Sequence, residues 1–136
     1  MSIPFWCLFI AALLIYVAKL PVAKAMQADG GYDNHHPRAQ QARLTGYGAR
    51  AYAAHMNSIE IFPLFAAGVL MAHSAHVVGF LVDLLAIVFV VSRVLYLFCY
   101  LRDLHWQRSA VWMIGLVCCL LLMLSPALRA LLAGEV

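Results

Sequence analysis

The sequence predicts an all-α integral membrane protein, an up-down bundle of four helices, and three observations lead to this prediction. Hydrophobic residues make up 65% of the 136 residues, and charged residues make up only 11%, whereas soluble domains carry about 25% charged residues. The apolar residues form four stretches, each long enough to cross ~30 Å of hydrocarbon as a helix of ~20 residues. Short connections between these stretches make successive helices antiparallel neighbours.

The four predicted spans lie within one domain that covers residues 1–136. Their predicted ranges are about 3–25, 47–72, 77–101 and 109–132. Backbone groups in lipid need partners within their own segment, so the spans are helices and not strands. The connection over about 27–45 is polar and rich in turn residues, which predicts a loop.

The basic residues predict how the helices are oriented. Lys and Arg cluster in the first and third connections, and the N-terminus and the second connection have none. The positive-inside rule places these two basic connections in the cytoplasm and both termini on the non-cytoplasmic side, and only Arg129 opposes this. We expect a bacterial inner membrane. No basic stripe interleaved with aromatic residues is present, so we expect no nucleic-acid partner.

Polar residues form one stripe on the second predicted helix and one on the third. Each stripe spans about 80° of arc or less at ~100° per residue, so its members face one direction. The stripes consist of Arg50, Asn57 and Glu60 on the second helix, and of Arg93, Tyr96 and Tyr100 on the third.

Two opposite charges occupy the same depth in these stripes. Glu60 and Arg93 each lie roughly 14 Å inside a basic residue at the cytoplasmic end of their helix. A charge at the centre of a membrane helix costs about 2.5–3.5 kcal/mol, so we predict that the two side chains pair. Such a pair can be purely architectural. It can also belong to a site for a small ligand with carboxylates, and Tyr96 and Tyr100 favour that alternative.

The sequence predicts no metal site. The four cysteines lie in apolar runs without the spacing of metal ligands, and the adjacent His35 and His36 have no further ligand at a suitable distance. Asp83 lies inside the third predicted helix without an obvious partner.

Two motifs resemble those of a known family. Residues 50–65 read RAYAAHMNSIEIFPLF, with Asn57, Glu60 and Pro63 in an N-x-x-E-x-F-P-x-F core, and the third helix contains Arg93-x-x-Tyr96-x-x-x-Tyr100. Both resemble signatures of the MAPEG superfamily, the membrane-associated proteins of eicosanoid and glutathione metabolism. The resemblance implies a homotrimer that binds glutathione between subunits in the cytoplasmic half.

The resemblance also implies roles for individual residues. Arg108 would stabilise the glutathione thiolate, and Lys19 or Lys24 would supply a further basic group. The residues that would bind glutathione are Arg50, His55, Asn57, Glu60, Arg93, Tyr96 and Tyr100. One departure stands out, because family enzymes usually carry another arginine where this chain has Ala53.

These residues predict a function with two alternatives. The first is a glutathione-dependent membrane transferase or peroxidase that conjugates or reduces lipophilic electrophiles, with glutathione as co-substrate. The alternative is a non-catalytic lipid-binding or structural membrane protein of the same family. The expected partners are further copies of the chain, lipophilic small molecules and membrane lipid.

Overall fold

The computed structural model describes residues 1–134, which form four long helices and one short one. The helices are α1 (Ile3–Ala28), α2 (Pro37–Arg43), α3 (Gly46–Ser74), α4 (Phe80–Leu101) and α5 (His105–Ala133). The four long helices are each apolar and long enough to cross a membrane. Residues 1–134 contain no strand, and the all-α prediction is therefore confirmed.

Helices α3 and α4 lie at the centre of the bundle. They pack against each other, and each also packs against α1 and α5, whereas α1 and α5 do not touch. Turns over residues 75–79 and 102–104 connect α3 to α4 and α4 to α5. Because these turns are short, the helices that they join run antiparallel. A groove between α4 and α5 is lined by residues of these two helices alone.

Small residues let the helices approach closely. A Cβ at Gly68 of α3 would lie 2.9 Å from the Leu122 Cβ of α5, and one at Gly115 of α5 would lie 2.9 Å from the Ser92 Oγ of α4. Between these contacts the rings of Phe65 and Phe89 stack with their centroids 3.9 Å apart. Association in lipid depends on such close packing, since burial from lipid gains little.

The exterior of the bundle is apolar. In each of the four spans, only 22–33% of the residues in an apolar stretch of 18 residues are buried inside the protein. Large side chains such as Phe98 and Leu124 are about half exposed. Lipid can cover such a surface, whereas water would impose a large hydrophobic cost.

The short helix α2 lies in the connection that the sequence predicts to be a loop. Pro37 occupies its first turn, a position where a missing N–H and a fixed φ are favourable. The side chain of Gln40 is fully buried and ties α2 to the end of α1. Its Nε2 donates to the carbonyl oxygens of Met26 and Gly31 at 3.0 and 2.8 Å. The contact between Gln40 and Met26, fourteen positions apart in the sequence, therefore stabilises α2, which is too short to be predicted from its own sequence.

Asp33 organises the turn in front of α2. Its Oδ1 accepts hydrogen bonds from the backbone N–H groups of His35 and His36, both at 2.9 Å. The N–H of His36, followed by that of His35, holds the pKa of the Asp33 carboxyl below its usual range.

Candidate functional site

Two arginines and two tyrosines form a continuous line at the α4–α5 groove. The guanidinium of Arg93 lies over the Tyr96 ring, 4.2 Å from its centroid, and that of Arg108 lies over the Tyr100 ring at 4.5 Å. The two tyrosine rings meet edge to face with centroids 5.5 Å apart. Spacings of three and four residues place the α4 members on one face, and α5 contributes Arg108 from its first turn. The structure therefore brings these four predicted residues together.

A cavity of about 380 Å³ opens beside this line. Its walls are Tyr96, Tyr100, Arg108, Ser109, Trp112 and Met113. The last three were not predicted from the sequence. Together with Arg108 they occupy positions one, four and five residues apart, which is the spacing of a single helix face. Once Arg108 was chosen, this spacing could have predicted Ser109, Trp112 and Met113 as its neighbours on the same helix face.

Arg93 contacts α3, the second predicted span, through the Asn57 amide and not through the predicted Glu60 carboxylate. Its Nη2 donates to the Asn57 Oδ1 at 2.8 Å, and the Asn57 Nδ2 donates to the Glu60 Oε2 at 3.3 Å. No direct salt bridge joins Glu60 to Arg93 within residues 1–134, so the predicted direct pair is wrong. Glu60 is exposed on the helix surface, and a bridging amide avoids the desolvation that a close buried ion pair requires.

The guanidinium of Arg93 is enclosed almost completely. The residue is 6% exposed, and its Nε and Nη1 have no hydrogen-bond partner among the described residues. The Tyr96 ring covers one face, which attracts the cation through the ring quadrupole. Arg93 therefore couples α3 to the tyrosine line and fixes the position of Tyr96.

Arg50 and His55 do not line the cavity. The Arg50 Nη1 lies 4.0 Å from the Asp103 Oδ2 in the turn between α4 and α5. The His55 ring is directed at α1, where its Nδ1 lies 3.1 Å from the Ile15 carbonyl oxygen. Ala53 is half-buried and brings no charge to this region.

No cysteine or histidine among the described residues lines the α4–α5 cavity. All four cysteines are buried free thiols. Residues 1–134 contain no group of three or more His, Cys, Asp or Glu side chains that could hold a metal ion. The chemistry available at the α4–α5 cavity therefore rests on guanidinium and phenol groups, which donate hydrogen bonds to anions.

Comparison with known proteins identifies the class of protein that this bundle represents. Residues 3–128 match the model of the MAPEG family, and the chain belongs to that family. No curated protein and no solved structure gives a match. Family membership confirms the resemblance seen in the sequence and the four-helix membrane bundle. The chain is thus an integral membrane protein of a family that acts in eicosanoid and glutathione metabolism.

Proposed function

We propose that the protein is a glutathione-dependent transferase or peroxidase that acts on lipophilic electrophiles within the membrane. The observation that carries this proposal is the position of Arg108, whose guanidinium lies over Tyr100 in the wall of a 380 Å³ cavity. A fixed cation beside phenol hydroxyls is an arrangement that favours a thiolate over a thiol.

The residues around the cavity fit glutathione at its thiol end. Arg108, Tyr96 and Tyr100 offer donors to an anionic sulfur or to a carboxylate, whereas the Ser109 hydroxyl already donates to the His105 carbonyl oxygen at 3.0 Å. The tripeptide also carries two carboxylates, for which Arg50 is available at the turn between α4 and α5, where it faces Asp103. Ala53 supplies no second anchor, and we therefore expect weaker binding than a pair of arginines would give.

Bound glutathione supplies the nucleophilic sulfur, and the protein residues control its charge and access. A free thiol has a pKa of about 8.5 and is only a few per cent ionised at neutral pH. The Arg108 guanidinium stabilises the ionised sulfur. Arg93 holds the Tyr96 ring in place, because its guanidinium packs on one face of that ring. Ser109 and Met113 are exposed at the mouth of the cavity, so a lipophilic substrate can enter sideways from the lipid.

The proposal includes assembly as a homotrimer with glutathione between subunits. Glu60 supports it, because an exposed carboxylate on the apolar surface of α3 is costly in lipid and is better placed against a second copy. In this arrangement Asn57 and Glu60 of one copy approach the cavity of its neighbour, whereas His55 stays directed at α1 of its own copy. We also propose that the membrane is a bacterial inner membrane, with both termini on the non-cytoplasmic side.

Turnover of a chlorodinitrobenzene-type electrophile with glutathione tests the function. We expect Arg108→Ala to lower kcat/KM by about 10- to 100-fold, the effect of one lost hydrogen bond to a charged group, and Arg108→Lys to retain part of the activity. Arg102→Ala is the matched control, because Arg102 lies over Phe98 and outside the cavity. Equal loss in both alanine variants would remove Arg108 from the mechanism.

A second function follows from Ala53. Without the additional arginine the cavity could serve a lipid without any glutathione chemistry, as a non-catalytic binding protein or a structural bundle. Wild-type protein that neither binds glutathione nor turns over the electrophile, yet retains a lipophilic ligand through purification, would favour this alternative.

A further inference from the structure

A second cavity lies at the opposite end of the bundle, between α1, α3 and α4. It has a volume of about 290 Å³, and its walls are mostly apolar. Val69 of α3, Val82 of α4 and Pro4 of α1 contribute to these walls. Asp83 also lines this cavity and lies seventeen residues before Tyr100 on α4, about 26 Å along the helix. It is therefore separate from the α4–α5 site.

Asp83 is the one acidic residue among the described residues that line this cavity. Within residues 1–134 its carboxylate makes no salt bridge. It lies in the first turn of α4, next to the positive end of the helix dipole. An anionic side chain at the edge of a membrane span is costly unless a cation or water meets it.

No Lys or Arg side chain pairs with Asp83 within residues 1–134. At this end of the bundle Arg129 is the sole Lys or Arg within residues 1–134, and its Nη1 donates to the Ala75 carbonyl oxygen at the end of α3. His73 shares the cavity wall, but its ring lies edge-on to Phe5 with centroids 4.8 Å apart. The Asp83 carboxylate therefore has no Lys or Arg partner among the described residues and is available to an external cation.

We propose that this cavity binds a phospholipid whose headgroup carries a primary ammonium, of the phosphatidylethanolamine class. The ammonium would donate to the Asp83 carboxylate, and the valine side chains would contact adjacent methylene groups. Asp83 lies about one turn from the start of α4, a depth where headgroups begin. Val78 at the rim is 84% exposed, so the cavity opens to the surrounding lipid and a lipid enters without leaving the bilayer.

Native mass spectrometry of the full chain in maltoside micelles tests this proposal. Phosphatidylethanolamine is compared with phosphatidylcholine and phosphatidylglycerol of the same acyl chains. Phosphatidylcholine keeps the phosphate but has no N–H donors, and phosphatidylglycerol is anionic. We expect the wild type to bind phosphatidylethanolamine about tenfold more tightly than either.

Three variants separate a site at Asp83 from general lipid adhesion. Asp83→Asn should abolish the preference, and Asp83→Lys should reverse it in favour of phosphatidylglycerol. Asp29→Asn removes one acidic charge at the opposite end of the bundle, where Asp29 faces Arg43, and should leave the preference unchanged. Retention of the wild-type preference by Asp83→Asn would overturn the proposal. So would a wild type that prefers phosphatidylglycerol or shows no preference.

Discussion

The hydrogen bond from Arg93 to Asn57 joins the two central helices, and its removal has a consequence that can be worked out from the structure. In Asn57→Leu the Nη2 of Arg93 loses its acceptor, which lies at 2.8 Å in the wild type. Within residues 1–134 the other two guanidinium nitrogens already lack hydrogen-bond partners. The cation–π contact with the Tyr96 ring then remains for this charge.

The magnitude follows from burial. A hydrogen bond to a charged group contributes about 1.5–3 kcal/mol, and leaving a buried charge without its partner costs about 3–5 kcal/mol in soluble proteins. Membrane proteins show smaller values, up to about 1.7 kcal/mol per interhelical hydrogen bond. Because Arg93 is only 6% exposed, we expect Asn57→Leu to lower the free energy of unfolding by about 2 kcal/mol.

A double-mutant cycle measures this coupling. Unfolding in maltoside micelles is titrated with dodecyl sulfate and followed by circular dichroism for the wild type, Asn57→Leu, Arg93→Met and the double variant. The double variant replaces both polar partners with apolar groups and should recover to within about 1 kcal/mol of the wild type. If the effects of the two single variants simply add, the hydrogen bond does not hold α3 to α4 and the reasoning fails.

The remaining predictions concern packing and pH. Gly68→Ala places a Cβ 2.9 Å from the Leu122 Cβ and should destabilise the protein by about 1–3 kcal/mol in the same unfolding assay. Leu122→Gly removes that Cβ, so the penalty of Gly68→Ala should shrink when it is measured in the Leu122→Gly background, and two independent penalties would contradict a steric clash. Asp33 has a lowered pKa in the folded protein, so its contribution is present above the pKa of the unfolded chain and is lost as the pH falls through the folded pKa. Hydrogen exchange of the His36 amide should therefore lose protection in acid in the wild type, and in Asp33→Asn its protection should not depend on pH over that range. An identical pH dependence in both proteins would exclude this role of the carboxylate.

The helices could be predicted because lipid imposes a simple rule on the sequence. Each span must contain about 20 apolar residues in helical form, and this rule places all four long helices. The helix α2 obeys a different rule. Its stability depends on Gln40, whose bonds reach Met26 and Gly31, and a seven-residue sequence carries no sign of such distant contacts.

The site could be predicted only in part because depth does not specify rotation. Glu60 and Arg93 were matched by their distance from the basic end of each helix, and both contact Asn57, so they lie at similar depth. The direction of each side chain, however, depends on how α3 turns against α4. In the structure this rotation presents Asn57 to Arg93 and leaves Glu60 exposed.

The position of Arg108 depends on where α5 begins. It lies near a helix start, where the count of residues from Tyr100 does not specify the path of the turn between α4 and α5. In the structure α5 begins at His105, four residues earlier than predicted, and Arg108 falls within its first turn. This early start brings the guanidinium over the Tyr100 ring.

Ultraviolet absorbance of the glutathione thiolate tests the central claim most directly. Glutathione is titrated into the purified protein, and the absorbance is followed against pH for the wild type, Arg108→Ala and Arg102→Ala. We predict that bound glutathione ionises well below the free-thiol pKa of about 8.5 in the wild type and in Arg102→Ala, and near that value in Arg108→Ala. Glutathione that binds to the wild type without forming a thiolate at neutral pH would contradict the account.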